Sequence, residues 1–241
     1  MATRVIDDSK LQDIAVAIQG KDGGGTMTVD EMPTRIAEIP TQDNTLPYSL
    51  INRSITSIEN SEVTSIGASA FQYCTNLTSV SFPNVTSIGT SAFQYCRNLT
   101  SVSLPNVTSI GNSAFQDCTN LTSVSLPNVT SIGTRSVQGC ANLTSVSFPN
   151  ATSIGPRAFH DCTNLSIVIL GKRATLSSPN PFSNADNAII YVKPEDLSWY
   201  STATNWSALY VQNRIKSIED LTGDDLAWYQ EQLARYQAQT A

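Results

Sequence analysis

Five cysteines are the first residues of this chain to consider for chemistry, because thiolates bind metals, form disulfides and act as nucleophiles. Their positions rise by 22 residues each time: Cys74, Cys96, Cys118, Cys140 and Cys162. Disulfide frameworks and zinc sites use paired cysteines or short C-x-x-C intervals instead. The spacing therefore predicts that the thiols belong to a repeat and stack as small apolar residues in a core. Redox sensitivity is the alternative, should neighbouring thiols lie within bonding distance.

The other groups that catalysis would need are isolated in the sequence. The only histidine, His160, occupies the repeat position held by Gln72, Gln94, Gln116 and Gln138, which predicts a surface substitution. The many serines have no recurring base, and the acidic residues form no recurring pair. In the glycine-rich segment GKDGGGT the lysine precedes the glycines and no strand leads in, unlike a phosphate-binding loop. We therefore predict a protein that is not an enzyme and has no cofactor and no metal site.

Charge and hydropathy exclude two further classes of partner. The formal net charge is -6, whereas binding of nucleic acid needs clustered Lys and Arg to neutralise phosphates. The first residues lack the positive start and apolar stretch of a secretory signal, and no run approaches the roughly 18 apolar residues of a membrane span. We expect no nucleic acid, no membrane insertion and synthesis in the cytoplasm without a signal peptide.

A 22-residue repeat supplies the elements that must position these residues. In each copy a Leu is followed at +3 by Val and at +5 by Phe or Leu, as in Leu77, Val80 and Phe82. Val80 and Phe82 alternate with serines, which is the period of a strand with one buried face, and a proline then ends the strand. The pair Ile88-Gly89 and its equivalents predict a second corner, where the glycine provides a positive φ.

A fixed period of this length indicates a solenoid in which each repeat is one coil. One coil gains roughly 10 to 15 kcal/mol from burial of its large apolar side chains. Fixing its backbone costs at least about 20 kcal/mol, so a coil needs neighbours on both sides. The predicted fold class is a mainly β solenoid with 22-residue coils, an α-helical amino-terminal hairpin and a helical carboxy-terminal cap.

The repeat LxxVxFPxVTSIGxxAFxxC resembles the bacterial BspA-like leucine-rich repeats of the Treponema pallidum type, over about residues 55 to 182. The chain departs from this pattern at Val137, where Phe is expected, and at Gly171-Lys172-Arg173, which replaces Pro-Asn-Val. The resemblance implies a curved β-solenoid used for adhesion and protein binding.

The amino terminus carries a second resemblance. Leu11, Ile14 and Ile18 share one helical face, and after the glycines Thr28 and Glu31 have capping-box spacing for another helix. This helix, glycine loop and helix resemble the short module that precedes adhesive repeats in tail-associated proteins of phages and prophages. The resemblance implies that residues 1–40 dock to other virion or tail proteins.

The segments divide the chain into four predicted parts. Residues 1–40 form the docking module, 41–54 a linker, 55–192 the solenoid and 193–241 a carboxy-terminal cap with an amphipathic helix. Leu226, Tyr229, Leu233 and Tyr236 follow one another at spacings of 3, 4 and 3, a two-heptad seam. This helix either packs back on the solenoid or associates with copies of itself, for instance as a trimer.

The differences between copies gather near the cysteine and after the Ile-Gly corner. One explanation is drift at exposed turns. The other is a recognition patch around Tyr73, Tyr95 and Arg97, since tyrosine and arginine dominate binding hot spots. The full set of candidate partner-binding residues is Tyr73, Tyr95, Arg97, Asp117, Arg135 and Arg157.

Together these features predict a non-enzymatic binding protein. The first hypothesis is a phage or prophage tail-associated protein, located in the virion, whose solenoid attaches to a host cell-surface protein or glycan. The alternative is a bacterial BspA-like adhesion or scaffolding protein at the cell surface.

Overall fold

The structure, a computed structural model, describes residues 45–46, 56–61, 63–177, 181–206, 208–209 and 212–240. These residues form a leucine-rich repeat β-solenoid of about seven turns with coils of about 22 residues. The predicted helical hairpin and docking module within residues 1–40 lie outside the described residues.

The first face of the coils consists of short parallel strands. They pair in two groups, the first of three strands and the second of five. Val80 lies opposite Val102, and Val124 opposite Val146, so the register follows the 22-residue offset of the sequence. The strands are β2 (Ser57–Glu59), β4 (Ser79–Ser81), β6 (Ser101–Ser103), β8 (Ser123–Ser125), β10 (Ser145–Phe148), β12 (Ile167–Leu170), β14 (Ile189–Val192) and β15 (Ile215–Ser217). β15 adds a strand from within the segment 193–241 that the sequence assigns to the cap.

The second face is a seven-stranded parallel sheet of two-residue strands. Each strand carries a buried isoleucine or leucine in the coils from residue 65 onward. The strands are β1 (Thr45–Leu46), β3 (Ser65–Ile66), β5 (Ser87–Ile88), β7 (Ser109–Ile110), β9 (Ser131–Ile132), β11 (Ser153–Ile154) and β13 (Thr175–Leu176).

The core between the two faces is a set of ladders of identical side chains. Phe71, Phe93 and Phe115 stack with ring centroids 5.0 and 5.2 Å apart and planes within 3° of parallel. Val137 interrupts this stack, which resumes between Phe159 and Phe182 at 4.9 Å. Since most coils present the same or a similar side chain at the same position, each side chain packs against its equivalent in the neighbouring coil.

The glycine that follows the isoleucine in each repeat does not have the predicted positive φ. Among the described glycines only Gly139 and Gly223 do. At Gly89 an added Cβ would lie 2.6 Å from the Ala68 nitrogen and 2.7 Å from the Gly67 carbonyl carbon. The prediction of a left-handed corner at Gly89 was therefore wrong, because the close approach of the preceding coil's backbone, not φ, excludes a side chain there.

Two other rows of residues have the left-handed conformation. The first row has φ between 55° and 56°: Ser69, Ser91, Ser113, Arg135 and Arg157. The second row immediately precedes the cysteines and has φ between 59° and 72°: Tyr73, Tyr95, Asp117, Gly139 and Asp161. The candidate partner-binding residues, apart from Arg97, all belong to these two rows.

Aromatic residues cover the carboxy-terminal end of the core. Helix α1 (Leu197–Thr202) follows the 3-10 helix Pro194–Asp196 and buries Tyr200. The Tyr200 hydroxyl donates to the Lys172 carbonyl at 2.7 Å and accepts from the Ala174 nitrogen at 3.1 Å. The Trp206 ring lies edge-on to Tyr200 at 4.9 Å. These hydrogen bonds satisfy polar groups that the last coil would otherwise leave buried and unpaired.

The final helix, α2 (Gly223–Thr240), packs its first turns against the strand face. Leu226, Trp228 and Tyr229 are partly buried against a cluster that includes Ile167 and Ile169. These isoleucines replace the outward-facing serines of the earlier strands, which explains why the serine ladder ends there. No helix of the described segments is long and apolar enough to cross a membrane.

Candidate functional site

The cysteine stack is a structural part of the core. The described cysteines are buried and form no disulfide, and the Cys96 and Cys118 Sγ atoms donate to the Phe71 and Phe93 carbonyls at 3.0 and 3.2 Å. Burial raises the pKa of Cys162 to about 12 and raises the pKa of Cys96, Cys118 and Cys140 as well. Since the thiolate is the reactive form, these side chains are held in the unreactive state.

His160 is part of the polar ladder beside this stack. Gln72 Nε2 donates to Gln94 Oε1 at 2.6 Å, and His160 occupies the equivalent place two coils beyond Gln116. Its Nδ1 lies 3.1 Å from the Ser183 carbonyl oxygen and 3.4 Å from Asp161 Oδ1. The described residues contain no group of three or more metal-ligating side chains. The contact with the Ser183 carbonyl shows that the histidine links its coil to the next one.

Tyr73 and Tyr95 form a stacked pair on the surface. Their ring centroids are 4.8 Å apart and their planes differ by 12°. Tyr73 is 43% exposed, the one exposed large hydrophobic side chain among the described residues, and Tyr95 is half-buried. The Tyr73 ring is therefore exposed to solvent on one face and packs against the Tyr95 ring on the other.

The backbone beneath the tyrosines is fixed by hydrogen bonds between coils. The Tyr73 nitrogen donates to the Gln94 carbonyl and the Tyr95 nitrogen to the Gln116 carbonyl, at 2.8 and 2.9 Å. Each tyrosine is followed directly by a buried cysteine. Because the coil-to-coil bonds set the positions of both residues, the pair is ordered before any partner arrives, which lowers the entropic cost of binding.

Arg97 lies beside this pair. Its backbone nitrogen donates to the Tyr95 carbonyl at 2.9 Å, and its own carbonyl accepts from the Asn120 nitrogen at 3.1 Å. Its side chain is exposed. The structure thus brings together Tyr73, Tyr95 and Arg97, which we name the tyrosine patch.

The other three candidate residues are placed differently. Asp117 continues the row of Tyr95 on the next coil, and its Oδ2 accepts from Gln116 Nε2 at 3.2 Å. Arg135 and Arg157 lie in the separate left-handed row, on two consecutive coils further along. The candidate residues therefore form two surfaces.

Comparison with known proteins identifies the repeat. Residues 47–166 and 130–220 match the model of the BspA type leucine rich repeat region, in six copies. The chain belongs to the BspA-type leucine-rich repeat family. Members of this family generally act as non-enzymatic scaffolds for protein interaction. No curated protein matches the sequence.

Solved structures of leucine-rich repeat proteins share the fold. A leucine rich cell surface protein from Faecalibacterium prausnitzii is 33% identical, with a TM-score of 0.52 over 57% of this chain and 38% of its own. A leucine-rich repeat protein from Bacteroides ovatus is 32% identical, with a TM-score of 0.50 over 61% and 41%. The T. pallidum leucine rich repeat protein is 25% identical, with a TM-score of 0.52 over 64% and 80%. The chain therefore spans about two fifths of the length of the first two.

Sequence reasoning missed the contact that Trp228 makes on the strand face. The signal was present in Ile167 and Ile169, where the serine ladder ends, because outward isoleucines need a cover. The heptad spacing of α2 indicated an apolar face but not its partner.

Proposed function

We propose that this chain is a non-enzymatic binding protein of the bacterial cell surface, and that the tyrosine patch contacts its partner. The observation that carries the proposal is the ordered stack of Tyr73 on Tyr95 with Arg97 beside it. The family, and the name of its Faecalibacterium relative as a cell surface protein, support the location.

The chemistry of the patch suits recognition of a protein or a glycan. A tyrosine ring provides a large apolar face and a hydroxyl at small entropic cost, and arginine adds a planar donor. In the coils between residues 67 and 165 the other outward positions are mostly Ser, Thr and Asn, repeated from coil to coil. The tyrosine patch is therefore where the surface carries enough chemical information to select a partner.

The double substitution Tyr73→Asn and Tyr95→Asn tests this proposal. Asparagine tolerates the left-handed conformation of these positions, so the fold should be retained. Beads coated with the full chain would be measured for adhesion to cultured epithelial cells and to bacterial cells. We expect the variant to lose adhesion by at least about tenfold, as for hot-spot residues. Asp161→Asn, in the same row but four coils away from Tyr73, is the matched control and should adhere normally.

Treatment of the epithelial cells distinguishes the two classes of partner. Loss of adhesion after protease treatment indicates a protein, and loss after periodate oxidation indicates a glycan. Equal adhesion of the Tyr73→Asn, Tyr95→Asn variant and the unsubstituted chain would refute a role for the patch.

A phage or prophage tail-associated protein is the second candidate function. The resemblance of residues 1–40 to tail docking modules favours it. In that case the coated beads should bind bacterial cells rather than epithelial cells, and the chain should co-sediment with tail particles unless residues 1–40 are removed. Binding to epithelial cells alone, with no association with particles, would contradict this candidate.

Self-association through α2 is a related proposal. Leu226 and Tyr229 pack on the solenoid. Leu233 and Tyr236 continue the same seam in the sequence, and we expect contacts between copies at these two positions. Light scattering of the full chain, of a chain ending after Leu221 and of a Leu233→Ser, Tyr236→Ser variant tests it. A trimer that becomes a monomer in both altered chains supports the proposal, and a monomer in all three refutes it.

A further inference from the structure

We propose that Arg135 and Arg157 form a binding site for a single oxyanion, a carboxylate, sulfate or phosphate group, carried by a ligand of the solenoid. The site is separate from the tyrosine patch and does not depend on it. No catalytic step is involved.

The two arginines are held side by side by the coil geometry. They occupy the same position on consecutive coils, both with φ of 55°, and both are exposed. The Arg135 nitrogen donates to the Pro156 carbonyl at 3.0 Å, which ties the two corners together. Neighbouring coils of a parallel sheet are separated by roughly 4.8 Å. Two guanidinium groups that start from such close points can contact the same anion.

Neither arginine has an acidic partner among the described residues. The described ion pairs join His160 to Asp161 and Arg173 to Asp196. Asp117 Oδ2 accepts from Gln116 Nε2, and Asp161 Oδ1 accepts from Asn184 Nδ2 at 2.7 Å. The acidic side chains of these coils thus have other partners, and no described ion pair offsets the charge of the two arginines.

Stability does not explain why arginine stands at these positions. The equivalent residues of the preceding coils are Ser69, Ser91 and Ser113, in the same left-handed conformation. An arginine there gains no described hydrogen bond for its side chain and faces a like charge one coil away, which is unfavourable. Because the two arginines do not stabilise the fold, we infer that they are present for binding.

The residue type indicates an oxyanion in particular. Between Gly67 and Leu165 every cationic side chain is arginine and none is lysine. A guanidinium group offers a rigid planar fork of donors that matches two oxygens of a carboxylate, sulfate or phosphate. Two forks around one anion complete its hydrogen bonding better than either could alone.

Titration of the full chain with sodium acetate, sodium sulfate and sodium phosphate at constant ionic strength tests the proposal. The Nε–H resonances of the arginines are followed by NMR. We expect those of Arg135 and Arg157 to shift with one common affinity for at least one of the three anions, while those of Arg97 stay in place. The anion that binds most tightly identifies the group that the ligand carries.

Two variants make the test specific. Arg135→Ser restores the residue of the preceding coils, so it should fold normally and weaken the response of Arg157 about tenfold, the loss expected for charge-assisted hydrogen bonds. The Arg135→Lys variant keeps the charge at that position but lacks the planar fork, and the response of Arg157 should again be weaker than in the unsubstituted chain.

An Arg157 response that is unchanged in Arg135→Ser would overturn the shared site, and so would equal shifts at all arginines. The Tyr73→Asn, Tyr95→Asn variant should titrate like the unsubstituted chain. The adhesion assay can therefore refute the tyrosine patch without affecting the oxyanion proposal, and the anion titration can refute the oxyanion site without affecting the tyrosine patch.

Discussion

Replacing Gly111 by alanine distinguishes two explanations for the glycine that recurs in the coils. The φ of Gly111 is not positive, so an alanine would ordinarily stabilise the fold by about 0.4 to 1 kcal/mol through the unfolded chain. The structure predicts the opposite sign. An added Cβ would lie 2.5 Å from the Gly89 carbonyl carbon and 2.7 Å from the Thr90 nitrogen.

The expected magnitude follows from what those contacts are. Both are backbone atoms of the preceding coil, so they cannot move aside as the end of a flexible side chain could. The Gly111 nitrogen also donates to the Ile88 carbonyl at 2.9 Å, and a shift between coils would lengthen this bond. Overpacking of this kind costs about 1 to 3 kcal/mol. For a chain of this length that lowers the melting temperature by roughly 2 to 4 °C per kcal/mol.

Urea unfolding followed by circular dichroism measures the change. Gly139→Asn is the matched control, because Gly139 lies in the left-handed row that Asp117 and Asp161 also occupy, and its near contact is the movable Asp117 carboxylate. We expect near-normal stability for this control and a loss for Gly111→Ala. An unchanged or increased free energy of unfolding for Gly111→Ala would refute the close-approach explanation.

Three further predictions concern the core, the cap and the last helix. Thiol reagent at pH 8 should leave Cys96, Cys118, Cys140 and Cys162 unmodified until guanidinium unfolds the chain, because burial raises their pKa; labelling of any of these four in the folded protein would contradict this. Burial also raises the pKa of Tyr200 from 10.0 to about 12, so the folded state holds its phenolic proton more tightly. Stability should therefore fall as pH rises from about 10 towards 12, and less steeply in Tyr200→Phe; equal slopes would argue against a buried phenol. Leu226→Asp should release α2 from Ile167 and Ile169 and make the helix sensitive to protease, whereas Ala227→Asp, at the exposed neighbouring position, should not; equal protection of the two variants would contradict the packing.

The stacking of the repeats could be predicted because the period of the sequence also sets which residues of neighbouring coils pair. The 22-residue offset alone places Val80 opposite Val102, and the structure has this pairing. The offset also makes Tyr73 and Tyr95 neighbours. Their parallel stacking depends on the left-handed backbone at both residues, which tyrosine does not signal, since Asn, Asp and Gly are the types that favour it.

The corners show why the remainder was harder to predict. A glycine in a repeat has two physical causes, positive φ and close approach, and the sequence pattern of Ile88-Gly89 does not separate them. The distance between Gly89 and the backbone of the preceding coil separates the two causes, and that distance depends on how the coils stack. Similarly, the apolar seam of α2 has the same spacing whether it packs on the strand face or on another copy.

Radical footprinting of Tyr73 tests the central claim most directly, because it reports on the contact without altering the chain. The full chain would be oxidised free in solution and while bound to cells, and the modification of each tyrosine measured by mass spectrometry. The account predicts that modification of the exposed Tyr73 falls on binding while that of Tyr191, on the opposite end of the solenoid, is unchanged. Full modification of Tyr73 in the bound state would contradict the proposal that the tyrosine patch is the binding surface.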